Sequence, residues 1–185
     1  MNKLNFLRES LKNLKTIGTV TPSSRFLCRA MLKGIDFSNA TLIVELGAGN
    51  GVLTRHILKR MRPDAKLLTF EVQANFCELL RAINDDRLIV IEDSAEHLPK
   101  YLEEFGGYQR KADHIISAIP FVILPKELAK NIVATCYQYL AENGRFAQVH
   151  YSLFLKSLYE DVFPTVDINF TPLNIPPAFV FHCSS

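Results

Sequence analysis

Gly47, Gly49 and Gly51 alternate with Ala48 and Asn50 between a β-branched, apolar run, Thr41–Leu46, and a stretch with helical apolar periodicity that begins at Val52. A strand that ends in closely spaced glycines and reopens as a helix turns tightly. It lets a ligand approach main-chain N–H groups at the helix start. The spacing is G-x-G-x-G and not the G-x-G-x-x-G of dinucleotide enzymes. Glu71 lies 20 residues after Gly51, at the end of the next predicted strand, where a carboxylate can accept hydrogen bonds from ribose hydroxyls. Asp93 follows the third predicted strand and is spaced to meet an adenine amino group. Taken singly, a glycine loop is a turn, and Glu71 and Asp93 are helix N-cap groups. On the carboxyl ends of three successive strands they describe a nucleoside site.

The elements that must position these residues read as alternating strands and helices. Strands are expected at Thr41–Leu46, Lys66–Phe70, Arg87–Ile91, Ala112–Ala118 and Arg145–His150. Helices are expected at Gly51–Met61, Gln73–Ile83, Ala95–Phe105 and Pro125–Leu140, the last stopped by Asn143-Gly144. A short helix at Leu153–Tyr159 precedes two late strands, Val166–Phe170 and Ala178–His182, which suit an antiparallel hairpin. The alternation implies an α/β fold, a mostly parallel sheet with helices on both faces and an antiparallel C-terminal strand. Ahead of it, residues 1–35 read as a helical segment, broken near Gly18–Pro22, and residues 36–185 as the ligand-binding domain. In that segment Leu4, Leu7, Leu11 and Leu14 form one apolar stripe beside Arg8, Lys12 and Lys15. Such a helix suits a membrane interface or docking on its own domain. Thr21 and Ser24 flank a Pro-containing helix start. They are candidates for capping it, or for shaping an N-terminus that receives a ligand carboxylate.

The 185 residues are 48% hydrophobic and 22% charged, a globular composition. There is no apolar run long enough to span a bilayer and no secretory signal, so a cytoplasmic protein is expected. Cys28, Cys77, Cys136 and Cys183 are scattered without a C-x-x-C pair, which argues against a zinc or redox motif. Residues 1–35 carry a net charge of +6 and the remainder −4. A basic segment on an acidic body points to an anionic partner, a lipid surface or nucleic acid.

The segments VELGAGNG (44–51), FEV (70–72) and EDSAEHL (92–98) resemble the class I S-adenosylmethionine-dependent methyltransferases over roughly residues 40–150. The resemblance implies a Rossmann-like fold with S-adenosylmethionine as cofactor. Glu45, Gly47, Ala48, Gly49 and Gly51 would face its methionine and ribose portion. Glu71 would take the ribose diol, with Val72 beside it, and Asp93, Ser94 and Ala95 would line the adenine. The segment Ser117-Ala118-Ile119-Pro120-Phe121 is similar to the N-L-P-Y motif of amino-methylating enzymes, including the rRNA adenine dimethylases. Ala118 stands where those enzymes carry an amide, which argues against a planar adenine amine as acceptor. With FLRESLKNLKTIGTVTPSSR (6–25) and NIPPAFVF (174–181), the pattern is most similar to the bacterial phospholipid N-methyltransferases.

That resemblance implies methylation of the amine of phosphatidylethanolamine by a protein held peripherally on an anionic membrane surface. Ser117 would border the cofactor, and Phe121 would offer an aromatic face to the methylated group. His150 and Tyr151, at the end of the fifth strand, are candidates for a general base and an aromatic wall, with a water relay as the other source of a base. His56, His97, His114 and His182 read as structural or surface groups. An RNA or small-molecule N-methyltransferase, and a non-catalytic cofactor- or membrane-binding module, are the competing readings.

Overall fold

The computed structural model describes residues 23–107 and 109–184. The Leu4–Leu14 stripe and Thr21 lie outside the described residues. Among the described residues the first helix, α1 (Arg25–Met31), is followed by β1 (Leu42–Leu46), α2 (Val52–Leu58), β2 (Lys66–Phe70), α3 (Ala74–Arg81) and β3 (Leu88–Ile91). The second half runs through α4 (Leu98–Gly106), β4 (Ala112–Ser117), α5 (Lys126–Gln138), β5 (Leu140–His150), α6 (Lys156–Glu160), β6 (Thr165–Thr171) and β7 (Ala178–Ser184). The seven strands form one sheet in the order β3-β2-β1-β4-β5-β7-β6. The first five are parallel, and β7 runs antiparallel to both β5 and β6. The chain winds outward from β1 to β3, then returns to the other side of β1 as β4. The loops after β1 and β4 therefore diverge and open a crevice at the carboxyl ends of the strands. Among the described residues no helix is long and apolar enough to cross a membrane.

Alternation along each strand sorts the core into two layers. Val44, Leu46, Leu68, Phe70, Ile115, Phe146 and Phe181 face α4, α5 and α6, which contribute Leu102, Leu128, Ile132 and Tyr159. Ile43, Leu67, Ile116, Ala147 and Val180 face α1 and α2, which contribute Leu27, Met31, Leu53 and Ile57. Truncating one of these fully buried leucines to alanine costs about 2–5 kcal/mol in comparable cores. The α1 helix thus shares the core of the sheet. All four cysteines are free thiols buried in this interior.

Two elements differ from the sequence reading. Strand β5 begins at Leu140, not Arg145, because Asn143-Gly144 does not stop a helix. Its pairing with β4 steps from Ala112↔Leu140 to His114↔Arg145, so residues 141–144 form a bulge. A Cβ on Gly144 would come within 2.8 Å of the Ala141 and Asp113 carbonyl oxygens, which is why glycine stands there. The expected Ala95–Phe105 helix is split into a 3₁₀ turn, Ala95–His97, and α4. Pro99 lies in the first turn of α4, where its missing N–H costs nothing.

Candidate active site

The glycine loop is held from both neighbouring strands. Gly47 and Ala48 donate their N–H groups to the Phe70 carbonyl at 2.8 and 3.3 Å. A Cβ on Gly47 would meet Ile119 N at 3.2 Å, so the absence of a side chain is what lets the β1 and β4 loops approach. Gly49 has φ +55°, a left-handed conformation, and its N–H donates to Glu71 Oε2 at 2.8 Å. The other carboxylate oxygen of Glu71 accepts from the Gln73 N–H at 2.9 Å. Glu71 is only 5% exposed, and these two bonds fix its carboxylate at the lip of the crevice. Val72 is buried beside it, and Gly51 caps α2.

Glu45 sits one layer behind. Its position in β1 turns it toward α2, where Oε2 accepts from the Thr54 hydroxyl at 2.7 Å and the Thr69 hydroxyl at 3.1 Å. Oε1 is buried and meets no hydrogen-bond partner among the described residues. Burial pushes the Glu45 carboxyl up to about 7; the two hydroxyls pull the other way, and the Glu71 charge adds to the rise.

Asp93 accepts from its neighbour's N–H (Ser94, 2.7 Å), from the Tyr101 hydroxyl (2.9 Å), and pairs with His97 Nδ1 at 2.9 Å. Burial opposes ionisation, but those bonds outweigh it and hold Asp93 below the ordinary carboxylate range. Ser94 caps the 3₁₀ turn through its hydroxyl, and Ala95 is buried at its start. These residues close the outer end of the crevice.

On the opposite lip, Ser117 is fully buried and its hydroxyl accepts from the Ile119 N–H at 3.4 Å. The residue that shapes this lip is one the sequence reading missed. Gln148 is fully buried in β5, and its Nε2 donates to the Ile119 carbonyl at 3.0 Å and the Val149 carbonyl at 2.7 Å. Its Oε1 meets no partner among the described residues. The signal for it was an amide inside the apolar run Phe146–Val149. Asn174 was also missed as an organiser. Its Oδ1 accepts from the Ser24 N–H at 3.1 Å, and its Nδ2 donates to the Pro176 carbonyl at 2.7 Å. Ser24 itself spends its hydroxyl on α1, accepting from Leu27 N–H at 3.2 Å and donating to the Leu173 carbonyl at 3.1 Å. Its hydroxyl is thus a cap and an anchor for the 172–177 loop.

The three expected acceptor-side residues separate. Phe121 is 1% exposed, its ring packed edge-on against Tyr159 and tilted against His150, so its faces are covered by the chain itself. His150 joins the same cluster: its Nε2 lies 2.8 Å from the Tyr159 hydroxyl, and burial lowers its pKa to about 4. Phe121 and His150, expected to serve the acceptor, are thus both buried. His150 is so because it faces the α5–α6 layer. Tyr151, the next residue, projects outward and is 48% exposed. Burial and a hydrogen bond to Asn174 act on its phenol in opposite senses; burial prevails and raises its pKa.

The sheet order, the glycine loop on its switch point and the acid that follows β2 define a class I, S-adenosylmethionine-dependent methyltransferase. The chain belongs to the methyltransferase small domain family, whose profile matches residues 15–169. It is 33% identical over 181 residues to an ornithine lipid N-methyltransferase of Singulisphaera acidiphila, covering 96% of this chain and 93% of that one. The fold is shared with the precorrin-6y C5,15-methyltransferase of Geobacter metallireducens (TM-score 0.66, 12% identity, 86% of this chain and 88% of that one). It is shared too with the magnesium protoporphyrin IX methyltransferase of Synechocystis PCC 6803 with bound SAM (TM-score 0.62, 10% identity, 98% and 85%). The crevice fits such a cofactor. A Cβ on Gly49 would meet nothing within 4 Å, so the loop is open on the ligand side. One layer behind the loop, the buried Glu45 Oε1 is an acceptor without a hydrogen-bond partner among the described residues.

Proposed function

We propose that this methyltransferase transfers methyl groups to the primary amine of a membrane lipid, phosphatidylethanolamine in the first instance, at the membrane surface. The observation that carries the acceptor is the near full-length likeness to an ornithine lipid N-methyltransferase, because both lipids present a primary amine on an acyl-chain anchor. The departure at Ala118 supports a lipid amine over a planar adenine amine.

Glu71 would take the ribose diol, the Gly47–Gly51 loop the ribose and methionine portion, and Asp93, Ser94 and Ala95 the adenine side. Glu45 Oε1 would accept from the cofactor's amino group. Bound there, S-adenosylmethionine supplies a methyl carbon made electrophilic by the positive sulfur. The chain's own task is then alignment and exclusion of water. The Ser117–Phe121 loop, clamped by Gln148, sets the wall opposite the glycine loop. Tyr151 walls the outer side as an uncharged phenol. The lipid amine would have to arrive at this wall without its proton, since only a free lone pair could take the methyl group the cofactor would supply. His150 is neutral at pH 7 but shielded, so the proton leaves to solvent at the open rim.

The test is transfer of labelled methyl groups to a panel of phosphatidylethanolamine vesicles, ornithine lipid vesicles, RNA and a soluble primary amine. Label in the lipid arms supports the proposal. Label confined to RNA or to the soluble amine overturns it.

A further inference from the structure

The rim around the acceptor side carries two uncharged loops with strongly exposed apolar side chains. The loop after β5, residues 151–155, reads Tyr-Ser-Leu-Phe-Leu, and the β6–β7 loop, residues 172–177, reads Pro-Leu-Asn-Ile-Pro-Pro; neither contains a charged residue. Phe154 is 78% exposed and Ile175 80%, with Leu153, Leu173 and Tyr151 exposed beside them. Because β7 is antiparallel to β5 and pairs Phe179 with His150, both loops emerge at the carboxyl end of the parallel strands, the end that holds the glycine loop. They are tied together: Tyr151 bonds to Asn174, and Leu173 and Asn174 bond to Ser24 at the start of α1. Phe26, two residues after Ser24, is also exposed, with the Arg25 guanidinium 4.8 Å from its ring centre.

We infer that the 151–155 and 172–177 loops insert their side chains into the interface of a lipid bilayer and so bring the crevice down onto the headgroups, an inference that rests on the lipid-acceptor reading above. Charge and connectivity favour this occupant. Arg25 and Arg29 are exposed on α1, and the chain that precedes Ser23 joins the molecule at this same rim. Residues 1–22 bring Lys3, Arg8, Lys12 and Lys15 against a single Glu9. Apolar tips beside the exposed Arg25 and Arg29, on a chain whose residues 1–22 are basic in sequence, match an anionic headgroup layer over acyl chains. A second copy would bring two such basic segments together, and like charges oppose that. A nucleic-acid surface would place lysine and arginine, not phenylalanine and isoleucine, at the tips. A contiguous apolar surface of this kind calls for a partner.

The chain contains no tryptophan, so Phe154→Trp installs a single reporter. Mixed with phosphatidylethanolamine/phosphatidylglycerol vesicles, the full-length variant should shift its emission to the blue and be quenched by brominated acyl chains. An emission unchanged by vesicles overturns the inference. An indole already blue and shielded from iodide without lipid also overturns it, by residues 1–22 if independent of protein concentration and by a second copy if not. The pair Phe154→Ser with Ile175→Ser, at exposed positions, should bind vesicles roughly tenfold more weakly, since two large apolar side chains no longer enter the bilayer. Its turnover of a monomeric short-chain phosphatidylethanolamine should stay within about twofold of the parent chain by the same reasoning. If the reporter inserts but no lipid is methylated, the acceptor reading fails and the docking surface stands. If vesicle lipid is methylated equally by the parent and the double variant, the docking surface fails and the acceptor reading stands.

Discussion

The two halves of the carboxyl rim are built from different materials. From β1 to β3 the rim is polar and pre-set: Glu71 is fixed by the N–H groups of Gly49 and Gln73, and Asp93 by Ser94, His97 and Tyr101. From β4 to β7 it is apolar, and its polar groups, Gln148 and Asn174, are spent on holding loops. The first half offers fixed acceptors to a small polar ligand. The second offers shape and an apolar margin, which suits an acceptor whose reactive amine is small and whose remainder is hydrocarbon. A single fold thus separates a constant task, holding the cofactor, from a variable one.

The sharpest way to break this division is Glu71→Ala. It removes charge-assisted hydrogen bonds of about 1.5–3 kcal/mol each, so cofactor affinity by calorimetry should fall roughly a hundredfold. Unchanged affinity would mean the polar half does not hold the ribose. Glu45→Gln should separate stability from binding. Burial holds the folded carboxyl at about 7 against an ordinary 4.5, so between these values the folded state retains a proton that the unfolded chain has lost. That contribution is fully present below pH 4.5 and is lost as pH rises toward 7. The amide needs no proton, so urea unfolding at pH 8 should show the variant more stable by up to about 3 kcal/mol, with little difference at pH 4.5. Its cofactor affinity should fall, because an orphan acceptor has been traded for a donor-bearing group.

Smaller effects probe the other half. Gln148→Leu releases the Ile119 carbonyl, and the misaligned wall should lower kcat about tenfold while cofactor affinity stays within about twofold. Equal losses in both would mean the halves are not separable. His150→Gln concerns stability alone. A histidine whose pKa is depressed to about 4 withholds a proton that the unfolded chain takes up, so stability is lost as pH falls from 6.5 toward 4. The variant should flatten that slope by up to about 3 kcal/mol. Its pH–rate profile above pH 6.5 should match that of the parent chain.

The same division governs what the sequence revealed. The glycine loop, Glu71 and Asp93 follow the ends of consecutive strands, so local periodicity was enough to bring them to one rim. The acceptor half depends on register. His150 was legible as the last residue of its strand but its burial was not, since that turns on which way a strand's last side chain faces. Asn143-Gly144 carries the signature of a helix stop, and only the proximity of the Asp113 carbonyl reveals a bulge. Gln148 and Asn174 act on residues 29 and 150 positions away, beyond any local pattern.

The direction of β7 has a practical consequence. The strand starts at the rim with Ala178 and runs antiparallel to β5, so Ser184 lies at the foot of the sheet, opposite the crevice. A tether attached beyond Ser184 would hold the molecule upright on a sensor chip with the rim facing outward. Vesicles passed over such a surface would meet the 151–155 and 172–177 loops first, and their capture could be timed without detaching the enzyme from its support.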